Sequence, residues 1–314
     1  MQKKPLIILT GPTSVGKTAV SIELAKAIGG EIISADSMQV YRHMDIGTAK
    51  ISPEETSGIP HYLIDEFEPD EDFNVVKFQQ YAKRYIEQIH GKNKIPILTG
   101  GTGFYIQAVL YDIDFTRNQE DDTYREELEL LYQERGSAYL HQLLQTVDPE
   151  SAAAIHPNNS KRVIRALEYA KQTGEKISSH NEEQRQKSSP YNYCYFVLHK
   201  DRTKLYQAID TRVDQMMAKG LLDEVKFLAA QGYQRELVSM QGLGYKEILA
   251  YLAGECTLDE AVYILKRDTR HFAKRQLTWF KRERDVIWIN KDDFLKEEEI
   301  ITFLSNQLKE HQII

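Results

Sequence analysis

The stretch Leu6-Ile7-Ile8-Leu9-Thr10-Gly11-Pro12-Thr13-Ser14-Val15-Gly16-Lys17-Thr18 decides the fold of this chain. Its last eight residues match G-x-x-x-x-G-K-[ST], the pattern of a phosphate-binding loop (P-loop), with a buried strand before it and a helix after it. The glycines let successive backbone N–H groups point at one anion, and the helix that opens at Lys17 adds its dipole. Lys17 supplies a point charge for the terminal phosphate, and the Thr18 hydroxyl is placed to ligate Mg²⁺. The loop therefore predicts that a polyphosphate binds, without saying which one.

Working outward from the loop, apolar runs alternate with helical patterns, as expected for an α/β fold with a parallel sheet. Strands are predicted near residues 6–10, 31–34, 95–98, 193–198 and 286–289. Helices are predicted over 19–28, 75–90, 124–135, 137–146, 161–171, 203–219, 221–231, 245–252, 258–281 and 293–310. Residues 174–190 are polar and indicate a linker or return segment. We therefore predict a discontinuous P-loop core, residues 1–111 and 191–314, interrupted by an all-helical insertion domain over residues 112–190.

The composition is that of a soluble globular protein, with 314 residues of which 41% are hydrophobic and 28% charged. No apolar run approaches the roughly 18 residues that span a bilayer, and the N-terminal apolar stretch is too short for a signal peptide. Cys194 and Cys256 lie far apart and suggest neither a disulfide framework nor a zinc site. We therefore expect a cytoplasmic protein with no membrane association. Nothing in the sequence indicates an obligate interface, so we expect a monomer.

The charge is unevenly distributed along the chain. The net charge of −7 argues against a generic nucleic-acid binder, yet residues 266–284 carry eight Lys or Arg and only two acidic residues. Aromatic and histidine side chains are interleaved with these basic residues, and bases stack on such rings. This segment favours RNA contact over the alternative of a solvated helix face.

Asp36 follows the second predicted strand, in the run Ser34-Ala35-Asp36-Ser37-Met38-Gln39. Ligands of a parallel sheet bind beyond the carboxyl ends of its strands, so Asp36 should lie beside the P-loop. It is a candidate general base, and the alternative is an Asp that orders Mg²⁺-bound water or caps a helix. Gln39 nearby is of the type that reads an adenine edge.

The third predicted strand ends in Thr99-Gly100-Gly101-Thr102-Gly103. Three glycines in four residues indicate either a close backbone approach to a ligand or only a sharp turn. The Asp that ends a Walker-B strand is absent here, and so is the Asn-Lys-x-Asp guanine signature. Two alternatives stay open on these residues: a P-loop kinase of a small metabolite or nucleotide, and an RNA-binding protein with a nucleotide switch.

Taken together, the motifs resemble one family, the bacterial tRNA dimethylallyltransferases. The similarity rests on blocks in family order, which are residues 11–18, 34–41, 45–50, 100–103, 165–168, 244–247 and 269–280. The resemblance implies that the P-loop holds the diphosphate of dimethylallyl diphosphate, with Mg²⁺ as the cofactor. The five-carbon group would then move to the exocyclic N6 amine of adenosine 37 in tRNA. It also implies Asp36, Lys17 and Thr102 as catalytic residues, and Arg202 or Arg212 as a clamp on the diphosphate.

By family position, a further set of residues would contact the anticodon stem-loop of tRNA. The set combines the two strand ends, the helical insertion and the basic C-terminal helix. It consists of Asp36, Ser37, Met38, Gln39, Thr102, Arg125, Lys161, Arg162, Val163, Ile164, Arg165, Gly242, Gly244, Tyr245, Lys246, Lys274, Arg275, Gln276, Trp279 and Lys281.

Overall fold

A computed structural model describes residues 3–115 and 122–314 of the chain. Backbone contacts divide the chain into two compact units. The first unit comprises Met1–Leu110 and Pro190–Ile314, and the second comprises Tyr111–Ser189. The chain thus leaves the first unit once and returns to it.

Within residues 3–115 and 122–314, the first unit contains all six strands and most of the helices. Its strands are β1 (Lys4–Thr10), β2 (Glu31–Ser34), β3 (His61–Tyr62), β4 (Pro96–Gly100), β5 (Tyr191–His199) and β6 (Val286–Asn290). Before the second unit come α1 (Lys17–Ile28), α2 (Val75–Gly91) and α3 (Gly103–Leu110). After it come α8 (Arg202–Ala218), α9 (Leu221–Ala230), α10 (Tyr245–Leu252), α11 (Leu258–Phe280) and α12 (Glu297–Glu310), with short 3-10 turns at Ser239–Gln241 and Lys291–Asp293.

The strands form one sheet in the order β3-β2-β4-β1-β5-β6, and every neighbouring pair is parallel. The predicted α/β class with a parallel P-loop sheet is therefore confirmed. Strand β1 lies in the interior of the sheet between β4 and β5, and its residues Leu6–Leu9 are fully buried. A strand buried on both faces is a continuous apolar run, which is why this segment was recognisable in the sequence.

The second unit is all-helical in the part that the structure describes. It contains α4 (Asp122–Val147), α5 (Pro149–Ala154), α6 (Ser160–Thr173) and α7 (Ile177–Gln186) around a small core that includes Leu128, Leu144 and Val163. Helix α4 is interrupted at Gly136, where φ is 77°, so the two helices predicted on either side of this glycine are both present.

Helix α7 corrects the prediction that residues 174–190 are a linker. Its first turn is held by the buried Asp148, whose carboxylate accepts hydrogen bonds from the backbone N–H and the hydroxyl of Ser178 at 3.0 and 2.7 Å. Ile177 packs against the core of this unit. A tertiary anchor therefore makes a helix from a polar segment whose sequence shows little periodicity.

Helix α3 was also missed from the sequence, because nearly all of its residues are buried and no polar stripe marks a period. None of the helices described in residues 3–115 and 122–314 is long and apolar enough to cross a bilayer.

Candidate active site

The P-loop leaves the interior of the sheet at the carboxyl end of β1. Gly16 takes a left-handed conformation with φ of 92°, and helix α1 begins at the next residue, Lys17. Loop amides and helix N-terminus thus lie at the edge of the sheet where parallel folds bind ligands.

Lys17 lies folded back onto its own loop. Its Nζ donates to the carbonyl oxygens of Gly11 and Pro12 at 3.0 and 2.9 Å. Burial lowers the pKa of Lys17 to about 8, the nearby Arg212 acts in the same direction, and Asp36 opposes them. The ammonium group is therefore held where its charge is disfavoured, and a bound anion would relieve that cost.

Arg212 brings a second cation into the same place from helix α8. Its Nε atom is buried and has no hydrogen-bond partner within the described residues. Burial lowers the pKa of Arg212, while the carboxylate of Asp36 acts in the opposite direction. A buried guanidinium N–H without an acceptor is costly, and a phosphate oxygen is the type of acceptor that it prefers.

Arg202, the other predicted clamp, does not line this cavity. It is exposed at the first residue of α8, and its guanidinium carbon lies 5.2 Å from the centroid of the Tyr206 ring. The structure therefore favours Arg212 and does not support the prediction for Arg202.

Asp36 lies just beyond the end of β2, in a tight turn. One carboxylate oxygen accepts a hydrogen bond from the backbone N–H of Met38 at 2.9 Å. The neighbouring Ser37 N–H donates to the Thr102 hydroxyl at 3.2 Å, and the Thr102 N–H donates to the carbonyl of Ala35 at 3.1 Å. These bonds hold the Asp36 turn against the glycine-rich end of β4, which fixes the direction of the carboxylate.

The glycines after β4 make room for the protein's own groups. A Cβ atom at Gly100 would lie 2.2 Å from the carbonyl oxygen of Ala35, and one at Gly101 would lie 2.2 Å from Nε2 of Gln276. The sequence predicted either a close approach to a ligand or a sharp turn, and at these two positions the close approach is to the protein's own atoms.

One cavity of about 400 Å³ joins these groups. The predicted site residues that line it are Thr13, Ser14, Gly16, Lys17, Thr18, Asp36, Ser37, Met38, Gln39, Thr102, Arg212, Gly242, Tyr245, Lys246, Arg275 and Gln276. Gly11, Pro12, Val15, Gly244, Lys274, Trp279 and Lys281 belong to the same unit but are not among its lining residues. Apolar side chains, including Ile32, Ile51, Ile64, Val213 and Leu265, complete the wall. The cavity thus combines four cationic side chains, those of Lys17, Arg212, Lys246 and Arg275, and the Asp36 carboxylate with a substantial hydrocarbon surface.

Glu224 is a residue that the sequence analysis missed. Its carboxylate accepts from three successive backbone N–H groups, those of Asp45, Ile46 and Gly47, at 3.0, 2.7 and 3.0 Å, and from the Tyr245 hydroxyl at 2.7 Å. It thereby fixes the loop whose next residues form part of the cavity wall. No local signal in the sequence marks a carboxylate that lies about 180 residues from the backbone groups it binds.

Three predicted RNA-reading side chains have structural partners inside the protein. The side chain of Tyr245 is fully buried, so its ring offers no surface on which a base could stack. The Gln39 amide bonds to Ser34 and to the carbonyls of Thr48 and Ala49 at 3.3–3.4 Å. Gln276 is buried as well and bonds within the protein. Burial therefore argues against direct RNA contact by the side chains of Tyr245 and Gln276, whereas the half-buried, cavity-lining Gln39 stays a predicted contact.

Only some of the basic residues in segment 266–284 form ion pairs within the protein. Lys266, Arg267 and Arg270 are paired with carboxylates, whereas Lys274 and Arg275 are exposed on the same helix. The Arg275 guanidinium lies 5.8 Å from the ring centroid of Phe272. The part available to a polyanion is therefore the C-terminal half of α11 and the residues after it.

In the helical unit, the block 161–165 that was predicted to contact RNA contains both buried and exposed side chains. Val163 and Ile164 are buried in the core of that unit, which rules out their side chains as RNA contacts. Lys161 and Arg162 are exposed. Arg125 forms an ion pair with the buried Glu168 at 3.1 Å, and this carboxylate holds the guanidinium in place.

The donor set of the cavity fits Mg²⁺ bound through a ligand. Within residues 3–115 and 122–314 no group of three or more His, Cys, Asp or Glu side chains could hold a metal ion. Mg²⁺ commonly takes one or two protein oxygens together with waters and phosphate oxygens, and the Thr18 hydroxyl and Asp36 carboxylate are oxygens of that kind.

Comparisons with known proteins agree with this geometry. The family model described as IPP transferase matches residues 39–283. A tRNA dimethylallyltransferase of Lachnoclostridium phytofermentans is 66% identical over 99% of both chains, and one of Acetivibrio thermocellus is 51% identical over 96% of this chain and 97% of that protein. Among solved structures, the tRNA isopentenylpyrophosphate transferase of Bacillus halodurans is 46% identical, covers 99% of this chain and 98% of its own, and has a TM-score of 0.73. A eukaryotic dimethylallyltransferase acting on tRNA is 30% identical, covers 96% of this chain and 80% of its own, and has a TM-score of 0.82.

Proposed function

We propose that this chain, which belongs to the IPP transferase family, transfers the dimethylallyl group of dimethylallyl diphosphate to the N6 amine of adenosine 37 in tRNA. The observation that carries the proposal is one cavity in which Lys17, Arg212 and the P-loop meet Asp36 beside an apolar wall. A phosphoryl-transfer site needs the cations and the base. The hydrocarbon wall suits a substrate whose transferred group is apolar.

The cations stabilise the diphosphate as it leaves. As the N6 nitrogen bonds to C1 of the prenyl chain, the C1–O bond breaks and its electron pair leaves with the diphosphate. Lys17, Arg212 and the loop amides stabilise this growing charge, because their positive ends are already oriented before the reaction. Mg²⁺, held through Thr18 and the diphosphate oxygens, would add further charge neutralisation when bound.

Asp36 removes a proton from the acceptor amine. The lone pair of the N6 amine is delocalised into the purine ring, so the amine is a poor nucleophile until a proton is removed. The Met38 N–H occupies one lone pair of the carboxylate and fixes its orientation. The other oxygen is then available as the general base that accepts the N6 proton. The products are the N6-dimethylallyl adenosine, diphosphate and this proton.

The RNA must bring an extruded base to the cavity, because the adenosine is stacked in the free anticodon loop. On our proposal, Lys274, Arg275 and Lys281 contact phosphates from the first unit, and Trp279 offers an aromatic surface there. In the second unit the matching residues are Arg125, Lys161, Arg162 and Arg165. A location in the cytoplasm and a monomeric state stay predictions.

Label transfer tests the proposal. Dimethylallyl diphosphate labelled in the prenyl chain is incubated with unmodified tRNA that carries adenosine at position 37, and with matched tRNA that carries guanosine there. We expect label only in the first RNA, and only when the prenyl chain is labelled. Transfer of labelled γ-phosphate from ATP to a small molecule, with no label in RNA, would refute the proposal in favour of a P-loop kinase.

A further inference from the structure

Helix α11 presents one face to the cavity. Leu265, Thr269, Phe272 and Gln276 line the cavity and recur at intervals of three or four residues, which is the spacing of a single helix face. Thr278 and Lys274 on the same helix are exposed. Helix α11, which carries most of the basic segment 266–284, therefore also forms a wall of the cavity.

Gln276 is the most constrained side chain of that face. It is 6% exposed, its Oε1 accepts from the Thr13 N–H of the P-loop at 2.9 Å, and its Nε2 donates to the carbonyl of Gly101 at 3.0 Å. Both ends of the amide are thus bonded to backbone, one to each of the two loops at the carboxyl ends of β1 and β4. The absent side chain of Gly101 leaves the space that Nε2 occupies.

The same helix is tied to the element that carries the second cation. Arg270 pairs with Asp210, and Lys266 pairs with Asp214 at 2.6 Å, both across to α8, the helix of Arg212. The two cationic parts of the site, the P-loop and Arg212, therefore share α11 as a common support.

We propose that Gln276 is a positioning residue for the diphosphate site: it sets the P-loop against the glycine-rich turn and does not contact RNA. The assignment rests on the proposed function for the identity of the diphosphate. The neutral amide of Gln276 satisfies both partners, one an N–H donor and the other a carbonyl acceptor, whereas an ionised carboxylate could satisfy only the N–H. Loss of either bond leaves a backbone group without its partner and loosens the loop that must hold the anion.

The test compares binding of inorganic pyrophosphate and of tRNA, each measured alone by calorimetry on the full chain. Gln276→Leu replaces the amide by an apolar side chain of similar size and so removes both hydrogen bonds. Thr278→Ala is the matched control on the exposed face of α11. We expect Gln276→Leu to weaken pyrophosphate binding about ten- to hundredfold, with tRNA binding unchanged within about twofold. Thr278→Ala should leave pyrophosphate binding unchanged. In turnover, Gln276→Leu should raise KM for the prenyl diphosphate while KM for tRNA stays constant.

A second variant keeps the proposal testable if Gln276→Leu does not fold. Gln276→Glu retains the acceptor for Thr13 but can donate to the Gly101 carbonyl only when the carboxyl is protonated. Its pyrophosphate affinity relative to the wild type should therefore recover as the pH is lowered, whereas a merely structural defect would not follow pH.

Two results would overturn the inference: a Gln276→Leu protein that binds pyrophosphate normally but tRNA poorly, or a Gln276→Glu protein whose relative affinity does not change with pH. Failure of the proposed function is seen separately. In that case the wild type transfers no prenyl label to tRNA, while the pyrophosphate measurements still report on Gln276.

Discussion

Replacing Lys17 by Met should stabilise the ligand-free protein while abolishing binding of the diphosphate. The pKa of Lys17 is lowered from 10.5 to about 8 by burial and by Arg212. At about 1.4 kcal/mol for each pKa unit, holding this charge costs the folded state about 3 kcal/mol at neutral pH. The Met side chain removes that cost but also removes the donor to the carbonyls of Gly11 and Pro12, so we expect a net gain of about 1–2 kcal/mol.

The pH dependence of this gain provides the assay. Because the pKa of Lys17 is lower in the folded protein than in the unfolded chain, the cost is fully present below about pH 8. Between about pH 8 and pH 10.5 the unfolded chain keeps a proton on Lys17 that the folded protein has lost. Stability therefore increases with pH in this range, and the cost disappears. Denaturant unfolding at pH 7 and pH 10 should therefore show an advantage of Lys17→Met that shrinks at the higher pH. Pyrophosphate should raise the unfolding temperature of the wild type only.

The exposed Lys219 at the end of α8 supplies the control, because Lys219→Met changes the same charge without the burial. The reasoning is refuted if Lys17→Met is no more stable than the wild type at pH 7, or if its advantage over Lys219→Met is equal at both pH values.

Three further substitutions test the rest of the site. Asp36→Asn keeps the acceptor for the Met38 N–H and should lower kcat by roughly 10²–10⁴-fold with tRNA affinity intact, measured by single turnover. Arg212→Lys loses the bidentate fork and should raise KM for the prenyl diphosphate about tenfold or more, whereas Arg202→Lys should leave it unchanged. Arg275→Ala should weaken tRNA binding and reduce the slope of log K against log salt by about one.

Each of these predictions has a clear contrary result. An equal loss of tRNA binding in Asp36→Asn would make Asp36 a recognition residue. Equal effects of Arg212→Lys and Arg202→Lys on KM would mean that burial against the cavity does not determine which arginine binds the diphosphate. An unchanged salt slope for Arg275→Ala would assign this part of α11 to a solvated face.

Local patterns predicted most of the fold and the anionic part of the site. The P-loop, the strand ends that carry Asp36 and Thr102, and the helices on either side of Gly136 are all encoded in contiguous residues. Glycine motifs, continuous apolar runs and helical periodicity were sufficient to predict these elements. Helix α7 and the mostly buried α3 were not predicted, because α7 depends on a tertiary anchor and α3 has no polar face.

The parts of the site that the sequence did not reveal depend on distant contacts. Glu224 and the loop at Asp45 lie 179 residues apart, and Gln276 lies 263 residues from Thr13. The choice between Arg202 and Arg212 is decided by which of them is buried against the cavity. The presence of Gln276 in a basic, aromatic segment favoured RNA contact, and only its two backbone partners indicate otherwise.

The position of β1 between β4 and β5 determines the order in which the molecule can form during synthesis. Strand β4 ends at residue 100, but β5 begins only at residue 191, after the whole of the helical unit. That unit has its own core and is synthesised while β1 still has one open edge. The phosphate site is therefore completed late, and nascent chains that stop before residue 191 would expose an apolar strand edge prone to aggregation.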